Sequence, residues 1–178
     1  MKTLELFAGS RSFSKVAENY GFKTYTTDNQ DFNNIDQVCD IFDFDIDKML
    51  EEFGKPDIIW ASPPCTYFSV ASIGHHWNKD HTPKTVEAEL GVKIIKKTKS
   101  IIKRLAPLYY FVENPRGKLR KLSVVDWFTY RKTHEPAPRG SRTGTQGLKS
   151  AYLKSQIPPK LFIEIFNQVF EKKKIYKK

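Results

Sequence analysis

The segment Asp57-Ile-Ile-Trp-Ala61 carries apolar side chains at successive positions, not at alternate ones. A strand written this way has to be covered on both faces, as an inner strand of a parallel sheet is by its flanking helices. Other short runs fit beside it. Thr3–Ala8 is apolar and ends at Gly9; Lys23–Thr27 is β-branched and aromatic and is followed by Asp28; Leu108–Val112 is another buried strand, and a shorter one is expected near Gln37–Ile41. The intervening stretches have helical spacing. Phe13, Val16, Ala17 and Tyr20 mark a helix over residues 12–20 with Gly21 as its stop, Ile46–Phe53 ends at Gly54, and residues 86–105 form a longer helix with a Lys-rich face. Strands alternating with helices predict βαβ units: an α/β fold with a mostly parallel sheet and flanking helices. Pro158–Phe170, with Leu161, Ile165 and Val169 at fourfold spacing, predicts a last helix. No repeat or domain boundary is visible, so residues 1–178 read as one domain.

Composition narrows the partners. The net charge of +10 is split: residues 1–60 sum to −6 and residues 61–178 to +16. An acidic first third joined to a basic remainder predicts a small-ligand surface beside one that faces a polyanion, with nucleic acid the first candidate. The 13% aromatic content is too rich for a disordered chain. No window of 18 apolar residues exists, so no membrane span or membrane partner is expected. Glu5 interrupts the first apolar run, which argues against a signal peptide. Two cysteines, Cys39 and Cys65, cannot build a disulfide framework and suit a reducing cytoplasm. Oligomeric state is not legible.

In an open parallel sheet, ligands bind beyond the carboxyl ends of the strands. Four segments fall there: Phe7-Ala8-Gly9-Ser10, Asp28-Asn29, Ser62-Pro63-Pro64-Cys65 and Glu113-Asn114-Pro115. Asp28 follows Gly9 by 19 residues, near the offset at which an acid accepts hydrogen bonds from a ribose. The single glycine is equally compatible with a plain strand–helix turn. The two prolines stiffen the chain leaving a buried strand and present Cys65 from a restricted backbone, where a thiolate could act as a nucleophile. Cys39 reads as a small buried hydrophobe.

The ordered set Leu6-Phe7-Ala8-Gly9, Asp28, Asp40, Pro63-Pro64-Cys65, Glu113-Asn114 and Ile157-Pro158-Pro159-Lys160-Leu161 resembles the DNA (cytosine-5)-methyltransferases, in particular their compact phage-like members. The resemblance covers roughly residues 1–120 and 155–170. It implies a Rossmann-like methyltransferase fold, S-adenosylmethionine as cofactor and DNA as substrate. It assigns Phe7 and Gly9, with Ala8, Ser10, Asn29 and Pro63 around them, to the methionine and adenosine pocket. Asp28 matches the ribose-binding acid, Asp40 the contact to the adenine amino group, Cys65 the nucleophile and Glu113 the acid on the cytosine edge. The last helix matches the segment that returns beside the cofactor.

The chain departs from that pattern in places. Arg11 stands where a second glycine is common, and Pro115 where many members have valine. Residues 116–157 are too few for both a Gln-x-Arg-x-Arg-like strand pair and a large target-recognition region, so 114–157 reads as a reduced, basic version of it. A second reading is therefore a shortened methyltransferase that binds nucleic acid or a partner without turnover. A third is an amino-methyltransferase, which needs an aromatic side chain near the prolines; Tyr67 and Phe68 stand there. Lys118, Arg120, Lys121, Arg139 and Arg142 are the candidate nucleic-acid contacts. Residues 62–85 read as a long loop, mobile around 66–85, in which His75, His76 and His81 lack the partners of a metal site; no metal is expected.

Overall fold

The computed structural model describes residues 1–32, 34–69, 72–114, 117–122 and 159–175. Strand β1 (Lys2–Leu6) leads into helix α1 (Ser12–Asn19), followed by β2 (Lys23–Asp28), β3 (Gln37–Val38) and α2 (Ile46–Glu52). Then come β4 (Ile58–Ala61), the short α3 (Ile73–His76), α4 (Val86–Leu105), β5 (Tyr109–Val112), a 3-10 turn at Lys118–Lys121 and α5 (Pro159–Ile175). The five strands lie in the order β3-β2-β1-β4-β5, and every pairing is parallel.

Both faces of the sheet are covered, as the unbroken apolar run of β4 requires. Ile59 and Ala61 join Leu4, Leu6 and Tyr25 beneath Met49 of α2 and Ile101, Ile102 and Leu105 of α4. Ile58 and Trp60 point the other way, with Phe13, Val16 and Phe22, onto Leu161, Phe162, Ile165, Phe166 and Val169 of α5. That second face is dense in aromatic rings: Phe13 stacks on Trp60 at 5.6 Å, and Phe162 meets Trp60 edge-on at 4.8 Å. The amphipathic stripe of α5 thus seals one side of the sheet against α1.

Local chemistry sets the element ends. Asp45 caps α2 by accepting from the Lys48 N–H at 2.9 Å, and Thr85 caps α4 by accepting from Ala88. Acids in the first turn of α4 and Lys103 and Arg104 in its last complement the helix dipole. The expected strand at 37–41 shrinks to two residues. Cys39 still donates to the Asp28 carbonyl, but Asp40 turns the chain, its side chain accepting from the Phe42 N–H at 2.9 Å.

The segment expected as a long loop has structure of its own. Besides α3 it holds a bridge between Trp77 and Pro83, and Phe68 and Trp77 pack with Ala88, Ile95 and Leu119 in a third small core. No described helix is long and apolar enough to cross a membrane.

Candidate active site

Strand order reverses between β1 and β4, because β2 and β3 lie on one side of β1 and β4 and β5 on the other. The loops leaving β1 and β4 therefore diverge and open a crevice at their carboxyl ends. One wall begins at Phe7. Phe7, Gly9 and Arg11 have φ of 60°, 49° and 57°, so the loop winds through left-handed backbone before α1 starts. Ala8 donates to the Thr27 carbonyl, and the Gly9 N–H donates to Asp28 Oδ2 at 2.9 Å. Asp28 Oδ1 accepts from the Gln30 N–H at 3.0 Å. The offset between Gly9 and Asp28 is thus a direct contact: the end of β2 holds the loop leaving β1. Asn29 and Asp40 are exposed on the same rim, and Ser10 is buried with its hydroxyl 2.8 Å from that of Ser12.

Glu5 is a residue of this wall that the sequence reading passed over. It is 3% exposed, and its two carboxylate oxygens accept from the Phe13 and Ser14 N–H groups at 3.1 and 2.9 Å. A side chain from mid-strand thereby caps α1, whose own N-cap position, Arg11, makes no side-chain cap bond. Burial pushes the Glu5 pKa up to about 7, against the pull of these N–H groups and of Arg11. Arg11, where the resemblance leads one to expect glycine, adopts the glycine-like φ and pairs with Glu18 at 2.6 Å.

The other wall is built by β4 and β5. Ser62 donates to the Leu6 carbonyl, and Glu113 donates through its backbone to Ala61 at 2.8 Å. Asn114 Nδ2 donates to the Pro63 carbonyl at 3.1 Å, so the Glu-Asn segment holds the Pro-Pro turn. Asn114 Oδ1 is buried with no hydrogen-bond partner among the described residues. Pro63 is buried, while Pro64 and Cys65 are exposed. Partial desolvation first, and the negative charge of Glu113 second, hold the Cys65 thiol above its ordinary pKa. Cys65 and Glu113, 48 residues apart in sequence, are thus electrostatic neighbours at the ends of adjacent strands.

The remaining candidates divide. Lys118 is 3% exposed, with its ammonium 2.7 Å from His81 Nδ1 and 5.0 Å from the Trp77 ring centroid. Arg120 and Lys121 lie on the 3-10 turn. Arg139 and Arg142 fall outside the described residues. His76 Nδ1 is 2.8 Å from Thr85 Oγ1.

A parallel sheet with this strand order, a glycine-bearing first loop tied to an acid at the end of β2, and a thiol and carboxylate at the ends of β4 and β5 define a Rossmann-like methyltransferase fold. Residues 1–123 match the family model described as C-5 cytosine-specific DNA methylase. The chain belongs to this family. Over 136 residues it is 33% identical to "Probable DNA (cytosine-5)-methyltransferase" of Frog virus 3 (isolate Goorha), a match covering 73% of this chain and 61% of that protein. Among solved structures it is similar, at 16% identity and a TM-score of 0.47, to a "putative DNA modification methyltransferase encoded within prophage" from E. coli, over 66% of this chain and 32% of that one.

Proposed function

We propose that the chain transfers a methyl group from S-adenosylmethionine to the 5-position of cytosine in DNA, with Cys65 as nucleophile. The observation that carries this reading is the convergence of Cys65 and Glu113 on one side of the crevice, with the Gly9–Asp28 loop on the other. Phe7, Ala8, Gly9 and Ser10 would line the cofactor, with Pro63 across the crevice. Asp28, Asn29 and Asp40 offer oxygen acceptors to the hydroxyl and amino donors of a nucleoside. The fit is chemical: the exposed acids on that rim suit the donors, and the basic side of the chain is left to DNA. When bound, the cofactor supplies an electrophilic methyl on a sulfonium.

The cytosine 5-carbon is a poor nucleophile. Addition of the Cys65 thiolate at the neighbouring 6-carbon breaks the ring's aromaticity, and the resulting enamine can attack through its 5-carbon. Glu113, at the N3 and amino edge, stabilises the charge that develops there. After methyl transfer, the proton on the 5-carbon leaves to a base, its bonding electrons restore the 5,6 double bond, and Cys65 departs as thiolate. A base inside a duplex is out of reach, so the target has to be flipped out. We further read residues 1–178 as one domain, with 114–157 as a reduced target-recognition region. Arg120, Lys121, Arg139 and Arg142 are the proposed phosphate contacts.

Trapping on a duplex containing 5-fluorocytosine, with S-adenosylmethionine present, tests the mechanism. Fluorine blocks the final elimination, so a stable adduct is expected for the wild type and none for Cys65→Ala. Salt-sensitive DNA binding without an adduct or methyl transfer would instead favour the binding-protein reading. Methyl transfer that survives Cys65→Ser would favour direct attack by an exocyclic amine.

A further inference from the structure

Lys118 is a buried lysine in a part of the chain where lysines would be expected to face DNA. Its backbone N–H donates to the Phe68 carbonyl at 2.8 Å, and Gly117 beside it sits so close that an added Cβ would lie 2.0 Å from the same oxygen. Its ammonium reaches His81 Nδ1 and lies over Trp77, whose indole N–H donates to the Tyr67 carbonyl at 2.6 Å. Phe68 and Ser69 in turn donate through their backbones to the Cys65 carbonyl at 3.0 and 3.1 Å. A continuous set of contacts therefore runs from the segment after Glu113, through Lys118, to the turn that carries Cys65. Asn114 Nδ2, donating to the Pro63 carbonyl, makes a shorter tie between these two segments.

We propose that Lys118 is a positioning residue whose ammonium, held between His81 and Trp77, clasps the turn behind Cys65 to the segment after Glu113 and so fixes the thiol against the carboxylate. The proposal rests on the reading of Cys65 as nucleophile for its effect on rate, but not for its effect on local structure. A buried ammonium is costly unless something faces it. Here the imidazole nitrogen accepts from it and the indole face adds a cation–π contact, which is stronger when water is excluded. The charge that a phosphate contact would expose is instead spent inside the protein.

Two variants test this. Lys118→Met keeps the aliphatic stem and removes the ammonium. His81→Gly removes the imidazole that faces Lys118 and tolerates the φ of 73° at that position. Both are expected to slow adduct formation on saturating 5-fluorocytosine duplex by about 10- to 100-fold, with the duplex Kd changed by less than about twofold. Hydrogen exchange at the Phe68 and Ser69 amides should quicken by about tenfold in both. Unchanged exchange at those amides overturns the proposal. So does an unchanged adduct rate with weaker, less salt-dependent DNA binding in Lys118→Met, because that result makes Lys118 a phosphate contact. If the wild type itself forms no adduct, the nucleophile reading fails, while the exchange measurement still decides for or against the clasp.

Discussion

At Glu5, one carboxyl group joins the middle of β1 to the start of α1, directly beneath the loop proposed to hold the cofactor. Its folded pKa of about 7 lies above the ordinary 4.5, so the folded protein holds this proton more tightly than the unfolded chain does. The resulting stabilisation is complete below about pH 4.5 and is lost as pH rises through about 7, a change on the order of 3 kcal/mol. Urea midpoints at pH 5 and pH 8 check this: the wild type should lose more stability across that interval than Glu5→Gln. Glu113 permits a second test. Its charge raises the Cys65 thiol pKa, so Glu113→Gln should speed alkylation of Cys65 by iodoacetamide near neutral pH. The same variant should slow methyl transfer, because the group proposed to face the cytosine edge is lost. If both rates move in the same direction, Glu113 is not acting in the two ways proposed.

Among the elements, β4 was legible because burial on both faces leaves an unbroken apolar run, and the helices because one face repeats every three to four residues. β5, expected as a buried strand, is instead the edge of the sheet, with Leu108 and Tyr110 exposed. The third core was not legible. Phe68, Trp77, Ala88, Ile95 and Leu119 come from a loop, a helix and a distant 3-10 turn, and no period links them. Glu5 was legible in part: an acid inside an apolar strand is a signal in itself, but its partners on α1 appear only once the chain is folded. The candidate site was expected at the ends of the strands, because topology places those ends together whatever the loops do. Gly117 belongs to the illegible portion. Gly117→Ala brings a methyl into the Phe68 carbonyl and should cost about 1–3 kcal/mol in chemical denaturation. On the opposite face, Phe166 is fully buried among Phe13, Tyr20 and Phe22, and Phe166→Ala should cost about 3–5 kcal/mol.

For the whole molecule, the charge divides where the proposed roles divide. The acidic third supplies β1, β2 and the acids proposed to face the cofactor, and the basic remainder starts at the end of β4 and carries Cys65. DNA affinity should accordingly fall with salt, with a log–log slope of about −4 or steeper if four or more phosphates are engaged. A flat response in a filter-binding series would remove DNA as the polyanion. The chain spans 61% of the curated relative it matches.

The position of α5 also bears on how the protein is made. β1 is the central strand and the first to be synthesised, yet one of its neighbours, β4, comes some fifty residues later. Among the described residues, the face formed by Phe13, Phe22, Ile58 and Trp60 is covered by Leu161–Val169 of α5. While a ribosome is still translating the middle of the chain, that aromatic face lacks the cover that α5 gives it. Sealing of this face has to wait for residues 159–170 to emerge, which leaves a window for chaperone capture or self-association during synthesis.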